Sequence, residues 1–285
     1  MIIKKIKSII WLLMSDKQFT QFVYKREFKR KLDLSTPKTL NEKILWLKLF
    51  NRDPLQTICA DKFLVREYVS KKIGEKYLVK LLNKYDDINE IDLKSLPNTP
   101  FIIKANHTSG TFKIVKDKND INIESLKNEG KEWLSKNYYS VAREWQYKNI
   151  KPCIIVEELL KGEDGKIPND IKFICINGKV EMINVDSNKE IKHYRNNYDK
   201  NWEPLPFRWP KEYFPTKIQD KPKNLDLLIQ LAENLSKDFD FARVDFYVVK
   251  DQIYFGEITF HPTSGLGQFS DFKYDEYYGK KLNLS

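Results

Sequence analysis

The sequence predicts an α+β protein in which an N-terminal helical extension precedes two β-containing lobes. Three observations carry that expectation. Apolar residues recur at helical spacing, with short breaks, as far as Gly74. Beyond them lie two groups of short runs rich in β-branched and aromatic residues: Phe101–Ile103 with Phe112–Val115, then Cys153–Val156 with Asp170–Ile176 and Lys179–Val185. A last pair of such runs, Val244–Val249 and Ile253–Phe260, reads as a hairpin.

Size and composition agree with this. With 285 residues, 41% hydrophobic and 32% charged, the chain can bury a large core and form more than one lobe, and wholesale disorder is not expected. A net charge of +10 favours anionic partners. Nucleic acid is not expected, because no compact Arg-rich stripe with interleaved aromatics occurs. Cys59, Cys153 and Cys175 are isolated in apolar surroundings, without metal spacing, as expected of buried thiols in a reducing, cytoplasmic compartment.

Ile2, Ile3, Ile6, Ile9, Ile10 and Leu13 fall at helical spacing with Lys4, Lys5 and Lys7 between them, an amphipathic helix too short in its apolar run to cross a bilayer. A second helical stretch, Phe19–Lys31, carries Lys25, Arg26, Lys29, Arg30 and Lys31. Residues 1–31 therefore suit either packing on the body of the protein or peripheral contact with the inner face of an anionic membrane. Thr39 caps a helix running into Phe50. Asp61, Lys62 and Arg66 are expected on the next helix, the carboxylate and guanidinium forming a surface pair worth about 0.2 to 0.5 kcal/mol. Gly74 stops that helix, and Tyr77–Leu82 reads as a strand.

The run Phe101–Ile103 delivers Lys104 to a strand end, followed by a small-residue loop containing Ser109 and Gly110 and then by Lys113. Such a lysine and loop can clamp phosphate. The spacing is not that of a Walker loop, and a lone lysine beside a turn is the plainer alternative. Ile123–Lys136 reads as a helix. Cys153–Val156 runs into Glu157, Glu158, Leu159 and Leu160, with a turn at Gly162–Gly165. Asn177-Gly178 joins Asp170–Ile176 to Lys179–Val185 as a hairpin. His193 and Arg195 open a polar, aromatic loop that reaches Trp209, long enough to hold a substrate. Leu225–Lys237 is an amphipathic helix.

The final hairpin holds the sharpest chemistry. A three-residue turn at Lys250–Gln252 sets Asp245 opposite Glu257 and Arg243 opposite Thr259, whereas a two-residue turn sets Asp245 opposite Gly256. Two directly opposed carboxylates repel unless a cation lies between them. Hard oxygens that leave other positions to water and phosphate suit Mg²⁺, so a Mg²⁺-nucleotide site is one reading. A solvated sheet end with Arg243 as counter-ion is the other.

Taken in order, Phe101-Ile102-Ile103-Lys104, Ile155-Val156-Glu157-Glu158-Leu159-Leu160, Asp170-Ile171-Lys172, Arg243-Val244-Asp245 and Glu257-Ile258-Thr259 resemble the ATP-grasp ligases. Thr36–Lys43, Asp61-Lys62 with Arg66, Leu96-Pro97 and the closing Thr259–Phe269 make the resemblance closest to the TupA-like ATP-grasp family of cell-surface polysaccharide biosynthesis. It runs from about Thr36 onward. The resemblance implies an ATP-grasp fold, two β-containing lobes with ATP between them. Its expected divisions are a basic helical extension over 1–50, a pre-grasp segment over 51–99, a small lobe over 100–155 and a C-terminal lobe over 156–285.

By the same resemblance Lys104 and Lys172 hold nucleotide phosphates together with Ser109 and Lys113, Glu157, Glu158 and Leu159 form the adenine hinge, and Asp170 meets the ribose. Asp245, Glu257 and Thr259 hold Mg²⁺, with Thr259 standing where many ATP-grasp enzymes have Asn. Arg243 and Lys104 are the catalytic cations. The implied reaction joins a carboxylate to an amine through an acyl phosphate, on a uronic acid or related carboxylate of a capsule or envelope glycan. His193 and Arg195 are candidate contacts for that acceptor. A glycosyltransferase of surface polysaccharide synthesis and a nucleotide-binding assembly factor without turnover are the alternatives.

Overall fold

The computed structural model describes residues 13–162, 165–187 and 192–285, so nearly all of the amphipathic start lies outside the described residues. Helix α1 (Asp16–Phe28) begins ahead of Phe19 because the Ser15 hydroxyl accepts a hydrogen bond from the Gln18 N–H while the Gln18 side-chain oxygen accepts one from the Ser15 N–H. It ends before the basic run does, at Lys29 in a left-handed conformation. Thr39 and Glu42 make the same reciprocal cap for α2 (Leu40–Phe50). Asp53 caps α3 (Pro54–Ala60), with the proline in its first turn.

Residues 61–64 form a turn where helix was expected. The Asp61 carboxylate accepts from the Phe63 and Leu64 N–H groups, and α4 starts later, at Val65–Lys72. The strand expected from Tyr77 is also displaced: a 3-10 turn takes Glu75–Tyr77, and β1 spans Leu81–Tyr85.

The first sheet is antiparallel, ordered β1-β4-β2-β3, with β2 Phe101–Ala105, β3 Phe112–Val115 and β4 Ile154–Glu158. Phe101, Ile103, Val115 and Ile154 pack with Leu126 and Trp133 of α5 (Ile123–Ser135). Strand alternation turns Ile102, Lys104 and Glu157 to the opposite face. A short helix, α6 (Tyr139–Ala142), precedes β4.

The second sheet is antiparallel in the order β7-β6-β5-β8-β9, with β5 Asp170–Ile176, β6 Lys179–Ser187, β7 Tyr194–Tyr198, β8 Phe241–Val249 and β9 Gln252–Thr259. On one face Phe173, Ile183, Val185, Val244 and Phe246 bury against Leu228, Leu231 and Leu235 of α7 (Leu225–Ser236). The other face is divided. At one end Ile174, Ile176, Met182 and Phe241 pack with Leu40, Ile44 and Leu47 of α2 and Tyr278 of α8 (Phe272–Lys281). At the other end, every second position is polar. Helices α2 and α8 are tied by the Asn41 N–H donating to Asp275 (2.9 Å), and Lys43 donates to the Leu282 carbonyl just beyond α8 (2.6 Å). They approach so closely at Gly279 that an added Cβ would lie 2.7 Å from Thr39 backbone atoms.

The loop expected around His193 and Arg195 contains β7. Its sequence, Tyr-Arg-Asn-Asn-Tyr, hides the strand because Arg195, Asn196 and Asn197 are buried on polar partners instead of apolar ones. Among the described residues, no helix is long and apolar enough to cross a membrane.

The final hairpin combines both registers weighed above. Lys250 and Asp251, both at positive φ, form a two-residue turn between Val249 and Gln252. Uncorrected, that turn would place Gly256 opposite Asp245. A bulge between Phe246 and Asp245 takes up Gly256 as an extra residue, which restores Asp245 opposite Glu257 and Arg243 opposite Thr259. A Cβ at Gly256 would lie 3.1 Å from the Asp245 carbonyl oxygen and 3.2 Å from the Tyr247 ring, so the bulge is packed tightly around a residue without a side chain.

Candidate active site

The polar half of the large sheet gathers residues from all five strands. The guanidinium of Arg243 grips Asp245 with two hydrogen bonds, Nε to Oδ1 at 2.7 Å and a terminal nitrogen to Oδ2 at 2.8 Å, and reaches Glu257 Oε1 at 2.5 Å. Thr259 donates to the same Glu257 oxygen at 3.2 Å. Lys172 meets Asp245 Oδ2 at 2.6 Å and has Asp186 and Asp170 at 3.7 and 3.8 Å. Asp245 is fully enclosed. Burial alone would raise its pKa, but Arg243 and Lys172 outweigh it and hold the carboxyl at about 2. The same carboxylates, against the effect of burial, hold Arg243 firmly protonated.

Asp245, Glu257 and Thr259 thus stand on adjacent strands of one face as expected. Glu257 is the open member, its side chain 42% exposed against 2% for Asp245. Among the described residues no group of three or more His, Cys, Asp or Glu side chains is placed to hold a metal unaided. This donor set still fits a hard cation such as Mg²⁺, which is commonly held by one or two carboxylates with water and phosphate completing its shell. Arg243 must then release part of its hold on Asp245.

Asp170 lies at the edge of this band beside Lys172. His193 and Arg195 are also drawn into it. Arg195 makes a bidentate pair with buried Asp186 at 2.5 and 2.7 Å, which corrects the expectation of an acceptor contact in an open loop: its guanidinium is committed within the sheet. His193 contacts Asp186 at 3.2 Å, packs on Tyr213 and keeps 30% of its side chain exposed.

The small sheet supplies a second charged face. Lys104 pairs with Glu157 at 2.5 Å, and Arg66 on α4 reaches the other Glu157 oxygen at 3.1 Å and the Val79 carbonyl at 2.9 Å. Arg66 therefore does not form the expected surface pair with Asp61, whose carboxylate is held by its own turn. Glu158 points the other way and is exposed. Leu159 gives its N–H to the Pro100 carbonyl, leaving its own carbonyl as the polar group it can offer a ligand. Lys113 lies opposite Ile103 on the α5 face and pairs with Glu129 at 2.7 Å, so it turns away from Lys104 and is not a phosphate contact in this geometry. Ser109, at the exposed loop tip, lies beside the Tyr138 hydroxyl. A cleft of about 610 Å³ beside β3 is lined by Ile114, Lys116, Leu159, Lys161 and Ile167, and it reaches the expected hinge at Leu159.

The two faces share one space. The Tyr247 hydroxyl is pushed upward in pKa by burial and then by Glu257 and Asp245 from the large sheet and Glu157 from the small one. Asn184, Asp186 and Tyr247 are site-face residues that sequence reasoning missed. For Asn184 and Asp186 a signal existed: they are polar at every second position of a strand whose remaining face is apolar.

The profile of the TupA-like ATPgrasp family matches residues 42–283. No curated protein matches the sequence. Among solved structures, the D-alanine–D-alanine ligase of Bacillus anthracis complexed with ATP is 16% identical with a TM-score of 0.42, over 71% of this chain and 53% of the ligase. The D-alanine–D-alanine ligase of Helicobacter pylori is 16% identical with a TM-score of 0.48, over 87% and 68%. The L-amino acid ligase of Bacillus licheniformis is 13% identical with a TM-score of 0.48, over 90% and 58%. The chain thus spans about half the length of the first of these structures.

Proposed function

The chain belongs to the TupA-like ATP-grasp family, and on that premise we propose that it is an ATP-dependent carboxylate–amine ligase. The observation that carries this reading is the Arg243–Asp245–Glu257 array facing the Lys104–Glu157 pair, cations and hard oxygens from two sheets turned toward one space. Lys104 and Lys172 bind the phosphates, and Asp245, Glu257 and Thr259 hold Mg²⁺. When bound, Mg²⁺ would neutralise charge on the phosphates.

The substrate carboxylate attacks the γ-phosphorus of ATP, the bond to the bridging oxygen breaks, and ADP leaves. An amine then attacks the acyl phosphate carbon and displaces phosphate. Arg243 stabilises the tetrahedral oxyanion of that second step. The planar guanidinium, which bonds both Asp245 and Glu257, can give up one of these bonds to the cation and still be oriented by the other, which a lysine ammonium would not match.

The acceptor we propose is a uronic acid or related carboxylate of a capsule or envelope glycan, matched to the net charge of +10. His193, with its exposed edge, is the acceptor contact, and Arg195 orients it through Asp186. Residues 1–31 supply a peripheral contact to the inner face of the membrane. Titration calorimetry with a non-hydrolysable ATP analogue, with and without Mg²⁺ and beside a panel of sugar nucleotides, tests the reading. Mg²⁺-dependent binding of the analogue is expected, followed by phosphate release with uronates and amines. Binding of a sugar nucleotide but not of ATP would replace the ligase with a glycosyltransferase.

A further inference from the structure

Strand β7 lies at the edge of the large sheet, and the chain that follows it returns along that edge. The Arg195 N–H donates to the Phe214 carbonyl at 3.0 Å, and the Thr216 N–H donates to the Asn196 side chain at 3.2 Å. This return sets Tyr213 against the polar band: its ring lies 4.3 Å from that of His193, centroid to centroid, and 4.7 Å from the Arg195 guanidinium. The next ring, Phe214, is 57% exposed, with the Arg208 guanidinium 4.1 Å from its centre. Arg208 is itself held. Its N–H donates to the Ser270 hydroxyl, its carbonyl accepts from the Ser270 N–H, and its guanidinium donates to the Lys211 carbonyl at 2.5 Å.

A single exposed phenylalanine is ordinary, and so is an arginine stacked on it. This one differs in what surrounds it. It adjoins Tyr213, which touches the acceptor contact His193, so it continues the site outward along the sheet edge. The cations beside it are not committed to acids: Arg208 donates to a carbonyl and Lys211 to the Gln268 amide oxygen (2.8 Å), and among the described residues neither forms an ion pair. From 208 to 217 the chain carries Arg208, Lys211 and Lys217 against Glu212 alone. An open ring with cations at its rim suits a sugar that bears a carboxylate. The C–H face of a pyranose stacks on an aromatic ring, and a guanidinium takes a carboxylate through paired hydrogen bonds.

We propose that Phe214, Arg208 and Lys211 form a second sugar subsite, which holds a uronate unit neighbouring the one whose carboxylate reacts. The proposal rests on the glycan-acceptor reading above and adds to it that the acceptor is recognised as a chain. The segment after β7 then sets preference for chain length, while His193 meets the reacting unit.

Wild type, Phe214→Ala, Arg208→Gln and Arg208→Lys are titrated with galacturonate, its linear trimer, a hyaluronan tetrasaccharide and uncharged maltotriose, with and without the ATP analogue plus Mg²⁺. Wild type is expected to bind an anionic oligomer about tenfold more tightly than galacturonate, and maltotriose no better than galacturonate. Phe214→Ala and Arg208→Gln should each lose about tenfold for that oligomer and stay within about twofold for galacturonate, with Arg208→Lys recovering part of the loss. Wild-type affinity of Phe214→Ala for the oligomer overturns the proposal, as does an equal loss for monomer and oligomer, which marks a structural role for the loop. Oligomers bound no more tightly than galacturonate by wild type also refute it, and leave the ligase reading standing where the ATP analogue binds. If wild type binds no ATP analogue, the ligase reading falls, and the oligomer titrations without nucleotide decide the subsite separately. Loss of binding to phosphatidylglycerol vesicles in Phe214→Ala, with oligomer affinity unchanged, overturns the proposal in favour of a membrane contact. Should a variant not fold, the ring NMR signals of Phe214 in wild type must shift with the oligomer, and their constancy refutes the contact.

Discussion

Asp245→Asn offers the most direct reading of the charge array, because asparagine resembles the protonated acid in shape and charge. The Asp245 carboxyl moves from its ordinary 3.8 to about 2 in the folded protein. At about 1.4 kcal/mol per unit, its ionised form contributes on the order of 2 kcal/mol to folding. The folded value lies below the unfolded one, so this contribution is complete above the unfolded value and is lost as pH falls through about 2. Urea denaturation of wild type and variant should give a stability gap on the order of 2 kcal/mol at pH 7 and nearly the same at pH 5, with about half remaining at pH 3. Metal-dependent turnover should disappear in the same variant. A gap below about 0.5 kcal/mol at pH 7, or one that does not narrow between pH 5 and 3, would refute the idea that Arg243 and Lys172 stabilise an ionised Asp245.

Lys48 gives a prediction of the opposite sense. Burial holds its ammonium at about 8, with Glu144 as the main opposing charge, while it donates to the Ala142 and Ser264 carbonyls. The folded value is below the unfolded 10.5, so keeping Lys48 charged costs stability below pH 8 and that cost fades as pH rises toward 10.5. Wild type should therefore gain up to about 3 kcal/mol relative to Lys48→Met across that window, read by urea denaturation. Gly279→Ala should cost about 2 kcal/mol or more, seen as a lower urea midpoint with an unchanged slope, because the new Cβ meets the Lys38–Thr39 backbone.

The sheets and most helices were legible because their residues carry period and caps locally. Thr39 with Glu42, the run Asp170–Ile176 and the two halves of the last hairpin are examples. The pairing of Asp245 with Glu257 was also legible, but its cause was not. It depends on a two-residue turn corrected by a bulge, and the lone Gly256 inside a strand was the available sign. Partners far apart in sequence gave no sign at all. Arg66 meets Glu157 across 91 positions, so pairing it with nearby Asp61 followed helix spacing and failed. Strand β7 escaped notice because its inward side chains satisfy polar neighbours, and apolar alternation is the usual evidence for a strand. Lys113 shows the limit of reading charge without a face: one position along β3 decides which side of the sheet it serves.

The tie between α2 and α8 bears on how the chain is made. Asn41 and Asp275 are 234 residues apart, and the apolar surface of α2 is completed by residues of the last helix. At a ribosomal rate of roughly 5 to 20 residues per second, α2 waits roughly 10 to 50 s for its partner. During that interval Leu40, Ile44 and Leu47 lack their final cover, an apolar surface of the kind that chaperones hold. The sheet face that carries the carboxylate array at its other end can therefore be sealed only once α8 has emerged.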